Sequence, residues 1–84
     1  MNKEQLDKTK WAKGFKKDSP VSYSRALQYA LQEPLYVHIY KNAESGTLLY
    51  SIVASGDDIG FWMDSYKTKK EAVALCKKMG WKIK

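Results

Sequence analysis

The apolar positions change period along the chain. Tyr23, Ala26, Leu27, Ala30 and Leu31 recur at i, i+3, i+4, i+7 and i+8. That spacing is one stripe of an amphipathic helix over residues 20–33. Ser19-Pro20 precedes the stripe: a serine oxygen can accept from a free amide of the first turn, and proline suits the first helical position. Pro34 ends it, because the residue before a proline avoids the helical region. The period then switches to two. Leu35, Val37 and Ile39 alternate with Tyr36, His38 and Tyr40 over 35–41, which predicts a strand with an aliphatic and an aromatic-polar face. A turn at NAESG (42–46) leads to a second β-rich run, TLLYSIVA (47–54), so 35–54 reads as a hairpin. SGDDIG (55–60) is a loop, and FWMDSY (61–66) a third strand.

Thr68-Lys69-Lys70-Glu71 has the spacing of a capping box. Ala72, Leu75, Cys76 and Met79 follow at helical spacing, Lys77 and Lys78 favour the last turn, and Gly80 suits a left-handed stop. Trp81 to Lys84 reads as a tail or short strand. At the other end, residues 2–13 predict a short helix anchored by Leu6 and Trp11 and ended by Gly14. The fold class expected is α+β: two N-terminal helices, a three-stranded antiparallel sheet and a C-terminal helix, in the order ααβββα. At 84 residues this is one domain, with 1–18 a loosely attached N-terminal helix.

Such a sheet has two faces, and the C-terminal helix can cover only one. If helix 20–33 covers the other, Tyr23, Leu27 and Leu31 meet the sheet aromatics and all are core. A small chain's need to bury surface favours that arrangement. If the helix packs elsewhere, Tyr36, Tyr40 and Trp62 are free to stack single-stranded bases or to anchor a protein interface.

Charge sharpens the picture. Fifteen basic residues against nine acidic give a net +6. Residues 1–33 carry seven basic and four acidic side chains. Residues 34–64 carry Lys41 against Glu44, Asp57, Asp58 and Asp64, and residues 65–84 carry seven lysines against Glu71. The basic field therefore comes from the two ends. Arg25 is the only arginine, and lysine suits diffuse phosphate contact better than bidentate base readout. Lys67, Lys69, Lys70, Lys77, Lys78, Lys82 and Lys84 are candidate phosphate contacts, with Lys13, Lys16 and Lys17 adding to the field. Trp81, set among Lys82 and Lys84, joins Tyr36, Tyr40 and Trp62 as a candidate stacking or interface residue.

The stretch Tyr66-Lys67-Thr68-Lys69-Lys70-Glu71-Ala72 resembles the helix start of small sheet-plus-helix modules of phages and mobile elements, such as the N-terminal arm-binding domain of tyrosine integrases. There, three strands precede a helix that opens with an aromatic, a threonine, basic residues and Glu-Ala. Gly60-Phe61-Trp62 is similar to the Gly-Trp strand of comparable bacterial domains. The resemblance spans about residues 35–79 and implies a phosphate-facing helix start at Lys67, Lys69 and Lys70. The integrase sheet carries basic residues into the groove, whereas these strands offer Tyr36, His38, Tyr40, Tyr50, Ser51 and Asp64.

Catalytic chemistry finds no footing. One histidine (His38) and one cysteine (Cys76) exclude a disulfide framework and a His/Cys metal site. Asp57, Asp58 and Asp64 lack the calcium-loop spacing and read as solvated acids. Cys76 sits on the apolar helix stripe as a small hydrophobe. No phosphate loop or nucleophile elbow is present. No metal and no cofactor is expected, and the chain is not expected to be an enzyme. The start MNKEQLDKTK lacks a signal peptide's hydrophobic region, and no apolar run approaches about 18 residues, so the expectation is a cytoplasmic chain outside the membrane. The leading function is a nucleic-acid-binding accessory protein of phage or mobile-element type. Its rival is a phage-type inhibitor or adaptor that binds an acidic host protein, for example a defence nuclease, through exposed aromatics. A dimer through a free sheet edge is a third possibility.

Overall fold

Residues 2–41, 50–55 and 60–84 are described by the computed structural model of the chain. They build two units, Met1–Glu33 and Pro34–Lys84. The NAESG turn, residues 47–49 of the predicted second strand, and Asp57 and Asp58 lie outside the described residues.

The first unit is helical. The single helix predicted over 2–13 is two helices, α1 (Lys3–Asp7) and α2 (Lys10–Asp18). The division is local chemistry. Thr9 donates its hydroxyl to the Leu6 carbonyl at 2.7 Å, closing α1, and accepts from the Ala12 amide at 3.1 Å, opening α2. Asn2 and Gln5 form a reciprocal capping box at the start of α1. Gly14 does not stop α2, because Phe15, four residues after Trp11, lies on the same buried face. The third helix, α3 (Pro20–Ala30), begins where predicted with proline in its first turn. Ser19 contributes through its backbone rather than its side chain: its carbonyl accepts from the Ser22 amide at 3.1 Å. The three helices pack on one another, and Trp11, Phe15 and Tyr23 form an aromatic cluster with ring centroids 5.7 to 6.2 Å apart.

The second unit is a sheet with one helix. Strands β1 (Tyr36–Lys41), β2 (Tyr50–Ala54) and β3 (Phe61–Tyr66) are antiparallel neighbours, followed by α4 (Lys69–Met79). A fourth strand, β4 (Lys82–Ile83), runs parallel to β1 along its other edge. The predicted three-stranded antiparallel sheet is therefore a four-stranded mixed one, ordered β3-β2-β1-β4, and three helices rather than two precede the strands. The cause of the fourth strand is the end of α4. Gly80 takes the left-handed conformation (φ 76°), the Gly80 amide donates to the Lys77 carbonyl, and the Trp81 amide reaches the Cys76 carbonyl at 2.9 Å. This Schellman turn sends the chain back along the sheet. The Lys82 and Lys84 amides then donate to the Leu35 and Val37 carbonyls, each at 2.8 Å.

Helix α4 covers one face of this sheet. The side-chain period of two puts Val37, Ile52 and Ala54 on that face, where they are fully buried with Met63. A bulge sets Met63 and Asp64 together opposite Ile52, which brings Met63 to the covered side. Ala72, Cys76 and Met79 of α4 are buried against the strands, as their spacing predicts. The Thr68 hydroxyl accepts from the Glu71 amide at 3.2 Å, forming the threonine half of the predicted box. No helix among the described residues is long and apolar enough to cross a membrane.

Candidate nucleic-acid interface

The sheet's second face carries the residues the strand pattern put on its aromatic side. Following the ladder, His38 pairs with Val53 and Val53 with Trp62, while Tyr40 pairs with Ser51 and Ser51 with Ser65. Tyr36, Tyr40 and Trp62 are 46%, 52% and 40% exposed. The expectation that these rings are core is thus corrected. Within the helical unit, Tyr23 of α3 has its own partners. Tyr23 packs on Trp11 and Phe15, donates its hydroxyl to Asp7, and has the Lys16 ammonium 4.9 Å from its ring centroid.

The face is ordered by its own polar contacts. The Trp62 indole N–H donates to the Ser65 hydroxyl at 2.8 Å, and the Ser51 and Ser65 hydroxyls are 3.0 Å apart. The indole's one polar group is therefore occupied within its own strand. The His38 and Tyr40 rings lie 5.8 Å apart. At the β1/β4 side, the Lys84 ammonium sits over the Tyr36 ring at 5.2 Å from its centroid, within cation–π range. Lys82 stands opposite Tyr36 in the parallel ladder. A hollow of about 370 Å³ opens between β1 and the start of β3, lined by His38, Tyr40, Val53, Ser55, Gly60 and Lys84. Its floor depends on Gly60: a Cβ there would lie 2.2 Å from a methyl carbon of Val53. The Ser55 hydroxyl is buried in this region with no hydrogen-bond partner among the described residues.

Within the sheet unit the predicted lysines lie on or beside α4 and β4. Lys69, Lys70 and Lys77 edge a second, apolar-floored hollow of about 430 Å³ with Val73 and Ala74 on α4. Lys67 and Lys78 are exposed at the two ends of that helix. Lys82 and Lys84 belong to the β4 edge. Lys13, Lys16 and Lys17 lie on α2 in the helical unit, where Lys16 is also 3.6 Å from Asp7. Trp81 is corrected as a stacking candidate: it is buried, because the turn at Gly80 directs it inward.

The groups weighed for catalysis are accounted for by their surroundings. Asp64 accepts from the Ser65 amide at 2.8 Å and the Tyr66 hydroxyl at 2.9 Å. Burial first, and this carboxylate second, push the Tyr66 phenol well above its ordinary range. Burial pushes the Cys76 thiol up to about 11, which keeps it protonated and unreactive at neutral pH. Among the described residues no group of three or more His, Cys, Asp or Glu is placed to hold a metal ion. Sequence reasoning missed Ser55, Gly60 and Val53 as parts of the site. Only Gly60 carried a signal, as a glycine at a strand start where backbone approaches closely. No family model, curated protein or solved structure matches this chain.

Proposed function

We propose that this chain is a non-enzymatic nucleic-acid-binding accessory protein, of phage or mobile-element type, that holds phosphates with lysines and bases with the open face of its sheet. The observation that carries this reading is the pairing of the Lys84 ammonium with the exposed Tyr36 ring beside exposed Tyr40 and Trp62. Cation and stacking surface share one face, the combination that nucleic acid rewards with both phosphate and base contacts. The net charge of +6 adds long-range attraction. The resemblance of Tyr66–Ala72 to the helix start of integrase arm-binding modules implies phosphate contacts at Lys67, Lys69 and Lys70.

A mobility-shift titration at two salt concentrations tests the proposal. Retardation that weakens steeply with salt, by a slope of about −0.7 to −0.9 per phosphate contact, is the expected result. No shift with duplex, single strand or RNA at low salt refutes it. One observation favours the rival reading as a host-protein inhibitor or adaptor: the middle of the open face, Ser51, Val53 and Ser65, carries no cation. A partner captured from nuclease-treated host lysate, and lost on Tyr40→Ala, would replace the nucleic-acid reading with that one.

A further inference from the structure

We infer that the ligand of the open sheet face is a single strand, with one unstacked base seated in the hollow between His38, Tyr40, Ser55 and Lys84. This rests on the nucleic-acid reading above and names its substrate class. Three features point away from a duplex. First, the exposed groups are rings, and ring faces engage bases only when those bases are unstacked; a duplex offers edges in grooves. Second, the cations of this face sit at one side of it, Lys82 and Lys84 on the β4 edge, while β2 and β3 present Ser51, Val53, Ser65 and Trp62. That layout serves one phosphate track running along the edge, with bases turned inward across β1. A duplex would lay its second backbone over the neutral strands. Third, the rings are held before binding. Trp62 is tied to Ser65, and Tyr36 lies under Lys84, so little freedom is lost on stacking.

The hollow adds a seat. Its volume of about 370 Å³ falls in the range of small-ligand sites, about 300–1,000 Å³. His38, Tyr40 and Lys84 are among its lining residues. The small residues Gly60 and Val53 leave the room. Single-stranded DNA and RNA share this chemistry, and the two are separated by titration.

Fluorescence anisotropy with labelled oligothymidylate, oligouridylate and a duplex of equal phosphate number tests the inference on the full chain. Both single strands are expected to bind more tightly than the duplex, and the tighter of the two identifies the source. Tyr40→Ala is expected to weaken single-strand binding about 5- to 150-fold, the loss of one stacked base. Tyr40→Phe, which keeps the ring, is expected to retain it. Lys8→Gln, in the helical unit, where Lys8 pairs with Glu4, is expected to leave the ratio of single-strand to duplex affinity unchanged. Duplex binding equal to or tighter than single-strand binding, with no response to Tyr40→Ala, overturns the inference and leaves the nucleic-acid reading standing. Absence of binding to all three at low salt overturns both.

Discussion

Two sets of aromatic side chains in this molecule have opposite fates. In the helical unit, Trp11, Phe15 and Tyr23 meet one another, and the first two are 5% and 4% exposed. On the sheet, Tyr36, Tyr40 and Trp62 are about half exposed. Residue type does not separate the sets, since each holds a tryptophan and at least one tyrosine. What separates them is the partner on the other side. Three short amphipathic helices bury their stripes on one another. A sheet with a single helix has a covered face and an open one. Aromatics of the first kind are buried or half-buried in the helical unit, and those of the second are partly exposed.

The comparison breaks or holds first on stability. Trp11→Ala or Phe15→Ala is expected to cost about 3–5 kcal/mol, the usual range for emptying a large buried aromatic site, whereas Tyr40→Ala is expected to stay within about 0.5 kcal/mol. Urea unfolding checks both. A large loss for Tyr40→Ala would mean that the open face is structural after all. Gly60→Ala comes next. Its Cβ would collide with the Val53 side chain, and overpacking of this kind costs about 1–3 kcal/mol. Adding Val53→Ala to Gly60→Ala is expected to recover part of the loss, which locates the cost in the floor of the hollow.

Alkaline pH separates the units in another way. Burial, helped by the bond to Asp7, pushes the Tyr23 hydroxyl up to about 12 from an ordinary 10.0, and burial pushes the Cys76 thiol up to about 11 from 9.0. In each case the folded chain keeps a proton that the unfolded chain has released. Their contribution to stability is complete below pH 9 and is lost as pH rises through the folded values. Unfolding measured from pH 8 to pH 12 is therefore expected to show falling stability. Tyr23→Phe removes the helical unit's share of the slope, and Cys76→Ala lessens that of the sheet unit. On the acid side, the Tyr23 hydroxyl and then Lys16 hold the Asp7 carboxyl below its ordinary 3.8. Its contribution is present above that value and fades as pH falls through the lowered one.

The smallest expected effect is a gain. Gly14 lies inside α2 with open space where a Cβ would go. Gly14→Ala is expected to stabilise the helical unit by about 0.5–1 kcal/mol and to leave the proposed nucleic-acid binding untouched. A change in binding would show that the two units do not act separately.

Much of this architecture could be read locally. Residue spacing was enough for α3, β1 and α4, because helix and strand periods, Thr68 as a cap and Gly80 as a stop act over a few residues. The boundary at Thr9 was harder to see. A threonine that serves two helices at once looks like any polar residue inside one helical stretch, and Gly14 looked like a terminator until Phe15 was seen to be buried. The candidate site was half legible. Alternation placed Tyr36, Tyr40 and Trp62 on one side of the strands, and composition supplied the lysines.

The sequence by itself determined which side chains share a face of β1 and β2, since a strand's period of two is a property of the backbone alone, whereas the bulge that sets the faces of β3 appears only in the pairing with β2. Tertiary structure decided which face was covered, that Trp81 turned inward, that the last residues closed the β1 edge in parallel, and that Lys84 came to rest over Tyr36. Those outcomes depend on contacts between residues far apart in the chain. Periodicity carries no information about which of two apolar surfaces will find a partner; that choice rests on contacts between elements distant in sequence, such as those α4 makes with the strands.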